Sequence, residues 1–102
     1  MGRHFRLGKN KIIVGRTEAE NGLLLRTKQK TDYFFEVPDC GSPITILQGP
    51  KTRASIEKAA ALTVFHSDKK TGIVQVNFGK NKLNRKIIVS APLQAEVDML
   101  RI

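Results

Sequence analysis

The chain has 102 residues, of which 40% are hydrophobic and 26% are charged, a composition typical of one folded domain and not of a disordered tail. Its 18 lysines and arginines outnumber its 9 aspartates and glutamates, so the net charge is +9. No apolar run in the sequence approaches the ~20 residues of a membrane span. The basic N-terminus is not followed by the apolar segment of a secretory signal. Because Cys40 is the single cysteine, the chain cannot form an internal disulfide. We therefore expect no membrane association and a reducing, cytoplasmic location.

The first sixteen residues predict a β-hairpin. Apolar and basic side chains alternate over 4–7, and a β-branched run lies within 11–16, so both segments predict strands. The residues between them, 8–10, include a glycine and suit a tight turn.

The residues after this hairpin combine a glycine with the start of a helix. Thr17 and Glu20 have the spacing of a capping box, which predicts a helix over about 18–27. The first amides of a helix carry a partial positive charge, and Gly15 and Arg16 lie beside them, so this turn suits a phosphate or a carboxylate. A plain strand-to-helix joint with an exposed arginine accounts for the same residues. Asn21, one turn into the helix, could point back toward this turn or face water.

The middle of the chain predicts a second pair of strands. An aromatic-rich strand is predicted over 32–37 and a returning strand over 44–47, with breaker residues between them. Pro43 cannot donate to a ladder, so we expect it at the start of its strand or on an edge. Cys40 could be a nucleophile or an ordinary small residue of the turn, and no histidine lies close to it in sequence to activate the thiol.

A second helix is predicted over about 53–66, with Thr52 as its cap. From Ile56 onward, small and apolar residues recur at helical spacing and form one stripe. Lys69 and Lys70 follow this helix and could bind phosphate or simply complement the helix dipole.

The C-terminal third predicts a third hairpin. The alternating segment 73–78 and the apolar segment 87–89 predict strands, and the basic loop 79–86 joins them. That loop could hold phosphate oxygens or be a solvated hairpin tip. Residues 94–102 are expected to form a short helix or to fray.

The predicted element order is β-β-α-β-β-α-β-β. Strands joined mostly by hairpins, with two helices between them, indicate an α+β fold in which a largely antiparallel sheet carries helices.

The basic residues are segregated along the chain. Neither 1–17 nor 69–95 contains an acidic residue, as expected of a protein that binds a polyanion. The alternative is a basic protein with scattered lysines. The hypothesis requires both segments to meet on one surface of the fold. The candidate phosphate-binding residues are Arg3, Arg6, Gly15, Arg16, Asn21, Lys69, Lys70, Lys80, Lys82, Arg85 and Lys86.

Several short motifs, in this order, resemble the NFACT-R family of RNA-binding domains over about residues 11–92. They are Ile13-Val14-Gly15-Arg16 with Asn21, Asp32-Tyr33-Phe34, Gly41-Ser42 with Ile44, Ala59-Ala60 with Ser67, and Val76-Asn77-Phe78 with Lys80 and Arg85-Lys86. Three positions depart from the family pattern: its tryptophan is Phe34 here, and two of its histidines are Glu36 and Pro43. Any contact that depends on those histidines is therefore in question.

The opening segment 2–7 resembles the junction in proteins where this domain follows a PP-loop ATPase of the tRNA thiouridylase type. The resemblance implies a single domain over 1–102 that would be the C-terminal piece of such a tRNA-modification protein. It implies a non-catalytic domain that binds RNA, with tRNA favoured, and that needs no cofactor or metal. Since the chain has no PP-loop signature, ATP would be used in a part not present here.

Two other functions stay open. An enzyme domain would use Cys40 or His66 on a nucleotide or a sulfur carrier. A protein-interaction module would dock an acidic partner or the catalytic domain of its own protein.

Overall fold

The computed structural model describes residues 1–102 and confirms the α+β fold, with six strands in one antiparallel sheet and three helices. The strands are β1 (Arg3–Leu7), β2 (Asn10–Val14), β3 (Tyr33–Glu36), β4 (Thr45–Gln48), β5 (Ile73–Gly79) and β6 (Arg85–Ser90). The helices are α1 (Glu18–Thr27), α2 (Arg53–Phe65) and α3 (Gln94–Leu100). None of the three helices is long and apolar enough to cross a membrane.

The strands lie in the order β1-β2-β4-β3-β5-β6, and every neighbouring pair is antiparallel. All three predicted hairpins are present. After α1 the chain enters the sheet two positions away from β2, and β4 then fills the gap by pairing with both β2 and β3. The sheet therefore has β1 at one edge and β6 at the other.

Alternation along the strands divides the core between the two faces of the sheet. In β2, Ile12 and Val14 belong to a cluster of 14 buried residues that includes the buried face of α2, whereas Ile13 packs with Leu24 of α1 on the other face. Val97 of α3 lies in the same cluster as α2. The molecule thus has three layers, with α1 on one side of the sheet and α2 and α3 on the other.

One boundary differs from the predictions in a way that affects the candidate site. Arg85 and Lys86 were expected in the basic loop, but they begin β6, because Phe78 still pairs with Arg85 and Asn77 with Lys86. Of the two outcomes expected for residues 94–102, the structure shows the helix, α3, in which the buried Val97 packs against the core.

Candidate nucleic-acid interface

Helix α1 starts at the predicted position, and Thr17 is its cap. The Thr17 hydroxyl accepts a hydrogen bond from the backbone N–H of Glu20 at 3.1 Å. In a capping box the Glu20 carboxylate would accept from the backbone N–H of Thr17. Here it accepts instead from the backbone N–H of Arg16, one residue earlier, at 2.8 Å. The first turn of the helix is therefore closed by its own side chains.

The Arg16 guanidinium also binds Glu20. Nη2 of Arg16 lies 3.2 Å from Oε2 of Glu20, and this pairing lowers the pKa of Glu20 to about 2 and raises that of Arg16. The amide and the guanidinium that were predicted to hold an external anion thus already hold a carboxylate of the chain itself.

Gly15 and Asn21 join this turn to the start of β4. The side-chain oxygen of Asn21 accepts from the backbone N–H of Ile44 at 3.0 Å, and the N–H of Gly15 donates to the carbonyl of Ile44 at 3.0 Å. A Cβ on Gly15 would collide with the side chain of Asn21. Of the two predicted orientations of Asn21, the structure shows the one toward the turn, and the amide oxygen has a structural partner there.

One group of basic residues, which we call the arginine group, lies at the β1 edge. Its members are Arg3, Arg16, His66, Lys70 and Arg101. Burial lowers the pKa of Arg3, and the nearby guanidinium groups of Arg16 and Arg101 lower it further. Burial is also the main reason that the pKa of His66 is lowered; Arg3, Arg101 and Lys70 add to this, and a hydrogen bond to the Leu62 carbonyl opposes it. These shifts show that the positive charges of the group lie close enough to repel one another.

Carboxylates are mixed into the arginine group. Glu18 and Asp68 line the same polar pocket of about 350 Å³ as Arg3 and Arg16. Arg101 lies 3.9 Å from Asp98. Part of the positive charge at the β1 edge is therefore already neutralised.

A second group, which we call the turn group, lies where β3 starts and β5 turns into β6. Its members are Tyr33, Lys51, Lys80, Lys82 and Arg85. The Nη1 atom of Arg85 donates to the Tyr33 hydroxyl at 3.2 Å, and Nζ of Lys51 lies 5.4 Å from the centre of the Tyr33 ring. Lys80 and Lys82 line a pocket of about 430 Å³ together with Tyr33 and Arg85.

The cations of the turn group have no carboxylate partner. The four ion pairs of the structure involve Arg16, Arg53, Lys58 and Arg101, none of which belongs to this group. Two acids lie nearby. Asp32 is buried and accepts from the backbone N–H of Gln29 at 2.9 Å, and Glu57, which lines a neighbouring pocket with Arg85, is paired with Arg53. The turn group is therefore a concentration of positive charge that is open to an external anion.

The two groups lie at opposite edges of the sheet. Arg3 and Arg85 lie at the two ends of one line of directly paired residues that crosses all six strands. From Arg3, the successive pairing partners are Val14, Thr45, Phe35, Phe78 and Arg85. Five strand spacings separate them, or about 24 Å at ~4.8 Å per spacing. The basic residues from the two ends of the chain thus form two groups and not the single surface that the hypothesis required.

Three of the basic candidate residues lie outside both groups. Arg6 and Lys86 are exposed. Arg6 lies three residues after Arg3 in β1, and Lys86 directly follows Arg85 in β6, so both side chains point toward the other face of the sheet. Lys69 is exposed just after α2, and its backbone N–H donates to Ser67.

Besides His66, which was considered only as a catalytic residue, three members of these groups were not among the predicted phosphate-binding residues. Tyr33 precedes Phe34 in a segment with no basic residue, Lys51 follows a Gly-Pro pair, and Arg101 lies in a segment that was expected to be frayed or helical. Each joins its group through contacts with residues far along the chain, so no local pattern could have identified them.

Cys40 and His66 do not form a nucleophile and base. Sγ of Cys40 lies 3.5 Å from the carbonyl of Gly41. The His66 ring packs against Phe5 and Phe65, and its Nδ1–H donates to the Leu62 carbonyl at 2.8 Å. No hydrogen bond joins the two side chains, so the contact that would activate the thiol is missing.

The sequence matches the family described as NFACT protein RNA binding domain over residues 2–98. Seven solved protein chains are similar to this structure. One is the C-terminal part of the fibronectin/fibrinogen-binding protein from Streptococcus suis, with a TM-score of 0.87 and 16% sequence identity. The alignment covers 99% of this chain and 50% of that one, so the likeness shows a shared fold over half of the Streptococcus suis chain. No curated protein sequence matches.

Proposed function

The chain belongs to the family of NFACT protein RNA binding domains, and from this premise we propose that it binds the phosphate backbone of a folded RNA, with tRNA as the favoured class. The turn group is the principal contact in this proposal. We propose further that the domain holds RNA for a tRNA-modification protein of the PP-loop thiouridylase kind, in which catalysis and the use of ATP belong to another domain.

The observation that carries this proposal is the set of unpaired cations in the turn group. Lys80, Lys82 and Arg85 form no ion pair, and the turn holds their charges close together beside Tyr33. Such donors suit phosphate oxygens, which they can contact without reading the bases. Folded RNA is recognised chiefly by the shape and the backbone that it presents. The family and the unpaired cations of the turn group therefore support the same ligand.

The arginine group supports a second contact with the same RNA. It lies at the other edge of the sheet, and its charge is partly neutralised by Glu20 and Asp98. A ligand that contacted both groups would have to be long enough to extend across the molecule. A folded RNA is large enough for this, whereas a mononucleotide is not. This difference in size favours a structured RNA such as tRNA.

The test is a titration of tRNA into the chain at several salt concentrations. We expect affinity to fall as salt rises, with a log–log slope of about 0.7 to 0.9 for each phosphate contact, because binding releases counterions. Affinity that is absent at low salt, or that does not change with salt, would contradict the electrostatic mechanism.

A pair of double variants locates the contact. The variant Lys80→Gln/Lys82→Gln should bind tRNA more weakly and reduce the magnitude of the salt slope by about 0.7 to 0.9 per lost contact. The control Lys9→Gln/Arg26→Gln removes the same charge from the β1–β2 turn and the end of α1, which lie outside both groups. Equal losses in the two double variants would mean that net charge alone, and not the turn group, determines the affinity.

A second candidate function is docking of a protein, such as the catalytic domain of the same enzyme. It is supported by the free edge of β6, where Ile88 is 66% exposed, and by Ile73, which is 79% exposed at the paired end of β5. An Ile88→Asp variant should weaken such docking and leave tRNA affinity unchanged. If it weakens tRNA binding as strongly as Lys80→Gln/Lys82→Gln does, this edge is part of the RNA surface and the docking function loses its support.

A further inference from the structure

The hydroxyl of Tyr33 retains a free donor. Arg85 donates to the phenolic oxygen at 3.2 Å, so that oxygen acts as an acceptor. The phenolic proton is thus left over, and no group of the protein accepts it in the structure. A hydroxyl that already accepts from a guanidinium and has its proton free is suited to donate to an anion.

Arg85 is held in place before any ligand arrives. Its guanidinium lies 4.9 Å from the centre of the Phe78 ring and 5.8 Å from the centre of the Tyr33 ring. A guanidinium has five N–H donors, and one of them is used on Tyr33. The remaining donors have no carboxylate partner, and their orientation is fixed by the two rings, which reduces the entropy that a bound group would cost.

Lys51 brings a second positive charge close to the Tyr33 ring. Its Nζ lies 5.4 Å from the ring centre. Burial lowers the pKa of Lys51, and repulsion from Lys80 lowers it further, although Asp32 opposes the shift. A bound anion would relieve this repulsion.

The shape of the turn leaves room for such an anion. A Cβ on Gly79 would collide with the carbonyl of Lys82, which shows that the turn folds back closely onto the end of β5. The side chains of Asn81 and Asn84 complete the lining of the pocket. Its volume of about 430 Å³ is more than ten times the ~30 Å³ share of one water molecule.

We propose that this pocket binds one phosphate group, with Tyr33 and Arg85 donating hydrogen bonds to its oxygens and Lys51, Lys80 and Lys82 supplying the surrounding charge. This inference rests on the proposed function, since it identifies the atoms that would hold one phosphate of the RNA. The phosphate could be a diester within the strand or a monoester at its end. Both present non-bridging phosphate oxygens to these donors, the monoester one more than the diester, and the experiment separates them.

The test is an NMR titration of the full chain with inorganic phosphate, then with a short RNA oligonucleotide that carries a 5′-phosphate, and then with the same oligonucleotide without it. We expect saturable shifts at Tyr33, Lys51 and Arg85 in the first two titrations. Comparable binding of both oligonucleotides assigns the pocket to a diester, and preference for the phosphorylated one assigns it to a monoester. Shifts spread evenly over exposed lysines such as Lys9 would overturn the proposal.

The matched variant is Tyr33→Phe, which removes the hydroxyl and keeps the ring. It should reduce phosphate affinity on the order of tenfold, as expected for one lost hydrogen bond to a charged group. Ser90→Ala removes an exposed hydroxyl at the far end of β6 and should leave the affinity unchanged. Thermal unfolding of both variants establishes that they are folded.

The outcomes distinguish this inference from the proposed function. If tRNA binds and Tyr33→Phe has no effect on phosphate or tRNA, the pocket is overturned and the RNA function stands. If phosphate binds in a Tyr33-dependent way and tRNA does not bind at any salt concentration, the pocket is upheld as a site for a small anion and the RNA function is overturned.

Discussion

Asn21 shows how a polar residue near a helix start acquires a structural role. Its position beside the Gly15 turn fits contact with an external anion, but its oxygen already accepts from the backbone N–H of Ile44. Ile44 is only 6% exposed, so water cannot easily replace that acceptor. The side chain thus fixes the start of β4 to α1.

We expect Asn21→Ala to destabilise the fold by about 1–3 kcal/mol, because it leaves a buried N–H without a partner. Asn21→Asp is the matched control, since it keeps the acceptor oxygen near the positive end of α1. Urea denaturation of the three proteins measures the difference. If Asn21→Ala is as stable as the wild type but binds tRNA less tightly, the side chain acts on RNA and not on the fold.

The β5–β6 hairpin is the element that creates the turn group. β5 ends at Gly79, and the turn folds back so closely that any side chain there would meet the backbone of Lys82. β6 then starts at Arg85, opposite Phe78, which places the guanidinium on the α2 face beside Tyr33. The conformation of one glycine thus sets the positions of several cations.

Gly79→Ala should move this turn, lower stability by about 1–3 kcal/mol through overpacking, and weaken phosphate and tRNA binding. Gly22→Ala makes the same chemical change in α1, where the nearest atom to a new Cβ is Nη1 of Arg26 at 3.5 Å. It should stabilise the protein by about 0.5–1 kcal/mol, because alanine favours a helix interior. Calorimetry and the tRNA titration measure both effects, and unchanged tRNA affinity in folded Gly79→Ala would contradict the role given to the turn.

The molecule as a whole carries its two basic groups toward opposite edges of the sheet. The turn group has unpaired cations, whereas ion pairs partly neutralise the arginine group. His66 lies within the arginine group, and Arg3, Arg101 and Lys70 lower its pKa in addition to burial. The imidazole therefore reports whether an anion reaches that edge.

The pH dependence of stability follows from the lowered pKa of His66. At a pH above the pKa that His66 has in the unfolded chain, the neutral imidazole makes its full contribution to the free energy of unfolding. This contribution is lost as the pH falls through the lower pKa of the folded state. If RNA reaches both edges, its phosphates should offset the charges of Arg3 and Arg101 and raise the pKa of His66. An NMR titration of the His66 ring with and without tRNA measures the shift.

The control for this titration is Arg3→Gln, which should raise the pKa of His66 in the free protein and reduce the further rise caused by tRNA. A pKa of His66 that does not respond to bound tRNA would mean that the RNA contacts the turn group alone.

Local patterns in the sequence were sufficient for the order of the six strands and the first two helices, and for the starts of those helices. The cap at Thr17, the stripe that begins at Ile56 and the turn residues around Pro43 act over a few positions of the chain, so their effects can be read without knowing the fold. The family motifs likewise follow one another in the sequence.

The strand order and the grouping of charges depended on the folded chain. Tyr33, Lys51 and Arg85 come together because β3 lies between β4 and β5, and no local signal specifies that arrangement. The same topology places Arg3 and Arg85 at opposite edges, although both lie in acid-free segments. Side chains distant in the chain become neighbours only through strand pairing and core packing, and these are decided by the whole fold at once.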